Sequence, residues 1–364
     1  MSLVKHLLLV TDAWKPQING VVRTLGHTIN QLEKRDIKVT VLHPGLFKTI
    51  PLPTYGEIRI ALFPARGLHR MMREVNANAI HIATEGPLGW AARRYCLRYG
   101  LPFTTSYHTQ FPEYVNLRTR IPLAVGYAVV RRFHSPASNT FVATQSMQDR
   151  LQDRGFHHLH RWGRGVDVEL FMPAAGKGRI FSVPRPVAVY LGRVAIEKNI
   201  RAFLDMSFAG SKVVIGDGPD LSQLRKEYPA VNFTGYRTGK ALAEHIADAD
   251  VMVFPSKTDT FGIVMLESMA CGIPVAAYPV TGPVDVIQNG NNGYVDDDLH
   301  TAVEEALKVD PESCRRFAEQ YSWENSAAQF LGGLAPFERT IDLDPVDVSA
   351  VDEVPLEVTE SSSG

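Results

Sequence analysis

Residues 256–274 read SKTDTFGIVMLESMACGIP, and their reading decides the fold. Just before them, VMVFP at 251–255 is a short apolar run of buried-strand type. A Phe261-Gly262 turn then opens a helix that carries Glu267. The first amides of a helix have no partner inside it, so such a start receives anions. Asp259 and Glu267 stand eight positions apart around the turn. With an early helix start they fall on nearly one face, with Glu267 about two turns in. One carboxylate at the loop, one deeper and free amides between them suit a sugar nucleotide. The amides of Phe261, Gly262, Ile263 and Val264 take phosphate, and the carboxylates take sugar and ribose hydroxyls.

Working outward, the same strand-then-helix unit repeats. Strand-like runs fall at 187–191, 212–215, 231–233, 251–254 and 275–277, with helical periodicity between and after them. The first half does likewise, with strands at 7–10, 39–42, 80–83, 103–107 and 141–144. This βαβα order predicts α/β architecture with parallel, doubly wound sheets. A chain of 364 residues fits two domains, not one. The expected division is 1–170, a Pro/Gly/Ala-rich linker at 171–186, and 187–322. An amphipathic segment, 323–340, comes next. Residues 341–364 hold seven acids and no base, and are expected to be disordered.

Composition narrows the class. At 45% hydrophobic and 21% charged, the chain reads as a soluble globular protein. The apolar run 6–10 is too short for a signal-peptide core or a membrane span. Cys96, Cys271 and Cys314 form neither a metal pattern nor a disulfide framework, which fits a reducing cytoplasm. Residues 1–170 hold 22 Lys and Arg against 11 Asp and Glu, whereas 171–364 hold 16 against 28. A basic half beside an acidic half points to an oriented anionic partner. Basic amphipathic stretches at 66–73, 117–122 and 129–133 make an anionic membrane surface the favoured one, at the inner face of the membrane, and not nucleic acid.

Further candidate residues come after strand ends. YLGRVAIEKN at 190–199 places Gly192, Arg193 and Lys198 there, where ligands bind in open α/β sheets. Two cations in that position suit a diphosphate leaving group. Gly216 lies in IGDGP, Tyr236 in FTGY, and Gly20 opens a helix in PQINGVV. No G-x-G-x-x-G occurs, which argues against a nicotinamide oxidoreductase. In the first half, HIATEGPLG offers polar residues at a strand end, and SYHTQFPEY carries His108 and Glu113. WGRGVD at 162–167 closes the first half, with Arg164 near the hinge. The D-x-D triplets at 248–250 and 342–344 read as structural or solvated. No cluster has metal-ligand spacing, so neither metal nor cofactor is expected.

Taken together, the Gly-Arg…Glu-Lys run of 192–198 and the Asp259–Glu267 pair resemble the signature of retaining glycosyltransferases of family four. Members usually carry Glu at the first acidic position, so Asp259 bears on donor-sugar choice. The resemblance implies the GT-B architecture, two Rossmann-like domains with an interdomain cleft, and a UDP- or GDP-sugar donor. It implies that Arg193 and Lys198 stabilise the departing diphosphate, Asp259 holds sugar hydroxyls and Glu267 the ribose. It places base recognition near Tyr236, a glycine loop at Gly20, and His108 in the active site. TDAWKPQINGVVRT, HIATEGPLG and SYHTQFPEY look like a bacterial branch with diacylglycerol glycosyltransferases and sulfoquinovosyl- and mannosyl-transferases. The leading expectation is transfer of a hexose or hexuronic acid to diacylglycerol. The alternative is a GDP-mannose-dependent α-mannosyltransferase acting on a lipid-linked or exported polysaccharide. A non-catalytic sugar-nucleotide-binding protein is the remote third.

Overall fold

The computed structural model describes residues 3–17, 19–52 and 55–338. The chain forms two compact units: one takes the chain up to Trp162 and again from Ala327, the other takes Gly163–Ser326.

In the first unit the strands are β1 His6–Val10, β2 Lys38–Leu42, β3 Thr49–Leu52, β4 Tyr55–Ala61, β5 Ala79–Ile82, β6 Thr104–Ser106, β7 Asn139–Val142 and β8 Leu159–Arg161. Six form a parallel sheet in the order β2-β1-β5-β6-β7-β8, while β3 and β4 pair apart as an antiparallel hairpin. A parallel sheet is covered on both faces, so its strands are apolar throughout instead of alternating. Side-chain alternation then sends Leu8, Val10, Ile80 and Ile82 to one core with Leu88, Tyr95 and Phe133. Leu7 and Leu9 go to the other, with Leu25, Phe141, Trp162 and Phe330. Phe330 comes from the helix Trp323–Gly333, whose last carbonyl accepts Asn139 Nδ2 at 2.8 Å.

In the second unit the strands are β9 Val187–Leu191, β10 Ser211–Ile215, β11 Asn232–Gly235, β12 Val251–Phe254, β13 Val275–Ala277 and β14 Gly293–Val295. All are parallel, in the order β11-β10-β9-β12-β13-β14. Strand order reverses between β9 and β12 here, and between β1 and β5 in the first sheet. Those two switch points are where open α/β sheets present ligand sites.

Residues 177–181 belong to the second unit and are held by Asp248. Its carboxylate accepts the amides of Gly178, Arg179, Ile180 and Phe181 at 2.5–3.3 Å. Burial opposes its charge, but these amides win and hold the carboxyl below its ordinary range. Asp250 pairs with Arg185 at 2.6 Å. The first D-x-D triplet is thus a structural staple. The second, with the rest of 341–364, lies outside the described residues. Among those, no helix is long and apolar enough to cross a membrane.

Candidate functional site

The loops that leave β9 and β12 are stitched together. Asn199, in a left-handed conformation at φ +52°, donates from Nδ2 to the Pro255 carbonyl at 3.0 Å. The Thr258 hydroxyl donates to the Glu197 carbonyl at 3.1 Å. These bonds bring Lys198 Nζ to 2.5 Å from Asp259 Oδ1, a pair 61 residues apart in sequence. Both side chains are about four-fifths buried, at 22% and 19% exposure. Behind them the strand ends meet backbone to backbone. A Cβ on Gly216 would lie 1.8 Å from the Gly192 carbonyl oxygen, so no larger residue fits. Arg193 succeeds Gly192, half-buried, and its carbonyl accepts the Tyr190 hydroxyl at 2.6 Å.

Past Asp259 the chain turns through Gly262, at φ +85°, into the helix Ile263–Ala270. A Cβ on Gly262 would fall 2.7 Å from the Phe254 ring. The N-cap residue of this helix is Gly262, which has no side chain to cap the first amides, those of Ile263 and Val264 among them. Glu267 is its fifth residue and only 3% exposed. One expectation is corrected here. Asp259 lies four residues before the helix, so it shares no helical face with Glu267, and the loop alone positions it. The loop after β13 closes the opposite side, with the Gly282 Cβ position 3.2 Å from the Asp259 carbonyl. Gly192, Arg193, Lys198, Gly216, Asp259, Phe261 and the Ile263 helix therefore gather around the β9/β12 switch point. Tyr236 does not: it comes after the edge strand β11, two strands out from β9, and is 41% exposed.

The first sheet's switch point is built differently. Asp12 lies just past β1 and turns its carboxylate onto the helix Pro87–Arg98, which has no cap of its own. Oδ1 accepts the Leu88 amide at 2.9 Å, and Oδ2 accepts the Gly89 amide at 3.2 Å and the Thr84 hydroxyl at 2.9 Å. Burial outweighs these bonds and raises the Asp12 pKa. The helix start is occupied by the chain's own acid. Sequence reading missed Asp12. The signal was an acid directly after the first strand, with Gly86-Pro87 opening a helix that lacks a capping Ser, Thr, Asn or Asp.

Other first-unit candidates separate into core and surface. His81, expected at the site as part of HIATEGPLG, is fully buried instead. It bridges Thr104 and Ser106 at 2.9 Å each, and burial pushes its pKa down to about 3. Glu85 meets the buried His134 at 3.2 Å, and His134 in turn meets the Thr105 hydroxyl at 2.8 Å. Glu113 is a structural anchor, its Oε1 accepting Tyr127 at 2.5 Å and Arg150 at 2.6 Å. Arg164 is buried, and its pKa falls to about 9 for that reason. His108 lies two residues past the central strand β6, half-buried, with its ring edge-on to Trp162 at 5.5 Å. Gly20 is exposed and opens the helix Gly20–Glu33 under an Asn19 cap. Cys96, Cys271 and Cys314 are buried core residues.

Two parallel, doubly wound six-stranded sheets, one in each unit, are those of the GT-B glycosyltransferase fold. A sucrose-phosphate synthase of Thermosynechococcus elongatus superposes with a TM-score of 0.71 at 19% identity, over 90% of this chain and 97% of that one. In sequence, residues 18–170 match Glycosyltransferase Family 4, and residues 185–309 match Glycosyl transferases group 1. The chain belongs to glycosyltransferase family four and is a retaining hexosyltransferase. It is 28% identical to a GDP-mannose-dependent alpha-mannosyltransferase of Mycobacterium tuberculosis, over 80% of this chain and 83% of the relative. It is 26% identical to the alpha-monoglucosyldiacylglycerol synthase of Streptococcus pneumoniae, over 88% and 82%.

Proposed function

We propose that the chain transfers mannose from GDP-mannose, with retention, to a hydroxyl of a membrane-lipid acceptor. The observation that carries the donor is the alignment with the mannosyltransferase over four-fifths of the chain. This puts the GDP-mannose alternative ahead of the leading diacylglycerol expectation.

In this reading the Lys198–Asp259 pair is the resting state of the donor site. An arriving diphosphate draws Lys198 away, and Arg193 and the amides of Phe261, Gly262, Ile263 and Val264 complete its neutralisation. Asp259, released, takes mannose hydroxyls, and Glu267 takes the ribose. Gly192 and Gly216 let the phosphates approach backbone, and Tyr236 flanks the base. His108 and the Gly20 loop serve the sugar and the acceptor. The anomeric C–O bond to phosphate breaks, the acceptor oxygen bonds on the same face, and the leaving phosphate takes the acceptor proton.

The lipid acceptor is supported by an exposed apolar face on the helices Phe111–Thr119 and Leu123–His134. Phe111, Val115, Leu117, Val125 and Val129 are exposed on them, and Ile121 between them. Such a face suits peripheral contact with a bilayer. The same face, with the pneumococcal relative, supports a second reading: hexosyl transfer to diacylglycerol.

A donor-by-acceptor screen tests both. Purified protein receives GDP-mannose or UDP-hexoses with vesicles carrying diacylglycerol, lipid-linked saccharide or neither, and products are read by mass. Mannosylated lipid is the expected product. Hexosyl-diacylglycerol from a UDP-sugar moves the protein to the second reading. Nucleotide binding without turnover on any pair overturns both.

A further inference from the structure

An arginine-rich face of the first unit has no use in the reaction above. The helix Ala65–Glu74 exposes Arg66, Arg70 and Arg73, spaced i, i+4, i+7 along one face. The helix Pro87–Arg98 packs beside it and exposes Arg94 and Arg98. The two are joined by His69 to the Ala91 carbonyl at 3.1 Å and by Arg73 to the Tyr99 hydroxyl at 2.9 Å. Burial first, then the charges of Arg94, Arg98 and Arg73, push the His69 pKa down, as a cluster of cations around it requires. Among the described residues, no carboxylate pairs with Arg66, Arg70, Arg94 or Arg98.

At the head of this face is a groove of about 520 Å³, lined by Phe63, Pro64, Arg66, Pro87, Trp90 and Arg94. Phe63 stands at its lip with φ +46° and 95% exposure. A bulky residue in that conformation is strained, and its ring is left in water.

The chain leaves the described structure beside this face. The Phe337 amide donates to the Asn78 carbonyl at 2.9 Å, and Asn78 is four residues past Glu74. Phe337 packs on the same core as Ala65, Met71 and Trp90. From Ile341 the chain reads IDLDPVDVSAVDEVPLEVTE, in which seven acids are interspersed with apolar residues and no base occurs.

We infer that this acidic segment, 341–364, docks in cis on the arginine face, with its apolar residues against the Phe63–Trp90 groove. Asp342 is four residues beyond Glu338, within roughly 13 Å of it along an extended chain. The segment and the face are opposite in charge. Docked, the segment neutralises a cationic face that would otherwise hold an anionic surface. This inference is independent of the donor and acceptor proposed above.

Electron-spin distance measurement on the full chain tests it. Because the three native cysteines are buried, spin labels on Ser349→Cys and Glu74→Cys react selectively. A short, narrow distance distribution is expected at low salt. It should lengthen and broaden at about 1 M NaCl, where the screening length drops to about 3 Å. Arg66→Glu with Arg70→Glu and Arg94→Glu should broaden it at low salt, and adding Asp342→Lys, Asp344→Lys and Asp347→Lys should restore it. Thermal melts establish that each variant is folded. A distribution indifferent to salt and to charge reversal overturns the inference. If the same reversal abolishes binding to anionic vesicles while the distribution stays unchanged, the face belongs to a lipid surface, and the inference is again overturned.

Discussion

The two switch points start from the same local plan, a strand end feeding a helix start, and reach opposite outcomes. In the first unit Asp12 supplies the anion itself, so Leu88 and Gly89 are satisfied from within the chain. In the second, the Ile263 helix begins at a glycine that cannot cap it, and Asp259, in the loop before it, faces Lys198. A helix start that carries its own carboxylate is architecture. One that starts at a glycine, with a lysine on the preceding loop, suits a phosphate from outside. The difference favours nucleotide binding in the second unit without reference to any relative.

Breaking the open switch point should have the largest effect. Lys198→Ala removes a cation from the leaving group and is expected to lower kcat about 10²–10³-fold with GDP-mannose, with little change in melting temperature. Glu267→Ala should raise the donor Kd, measured by titration calorimetry, by tenfold or more. Wild-type activity in both variants breaks the site assignment. Gly262→Ala comes next: its left-handed turn and the Phe254 ring 2.7 Å from the new methyl predict a stability loss of about 1–3 kcal/mol, read by urea denaturation, and slower transfer.

The closed switch point should respond in stability and not in nucleotide affinity. Asp12→Ala uncaps the Pro87 helix and is expected to cost about 1–2 kcal/mol, with GDP affinity unchanged. The smallest effect is one of pH. His81 is held neutral, its pKa about 3 against an ordinary 6.5. Between these values the unfolded chain binds the proton and the fold does not, so stability falls as pH drops below 6.5 and levels off only below about 3. At pH 5.5 this group alone should cost about 1.3 kcal/mol relative to pH 7. His81→Gln should flatten that limb of the stability–pH curve, and an unchanged slope would contradict the assignment.

How much of the molecule sequence can supply depends on the range of each interaction. Apolar runs and turn residues are local, so both doubly wound sheets and the 256–274 segment were legible. Ends were less so: the expected strand 103–107 shortens to Thr104–Ser106, and 141–144 shifts to Asn139–Val142. The β3–β4 hairpin carries no alternation strong enough to announce it. Pairings across long separations were invisible. Lys198 with Asp259, Asp12 with the Pro87 helix and Glu85 with His134 are set by sheet order, and periodicity does not encode sheet order. His81 misled for the same reason. Its place at a strand end suggested a ligand site, while Phe141, Trp162 and Phe330 wall it into the core.

The most direct test of the central claim is calorimetric titration of GDP into wild type, Lys198→Ala and Asp12→Asn. Wild type should bind, Lys198→Ala should bind at least tenfold more weakly, and Asp12→Asn should keep wild-type affinity. Equal affinity in wild type and Lys198→Ala, or an equal loss in both variants, would contradict a donor site built on the open switch point.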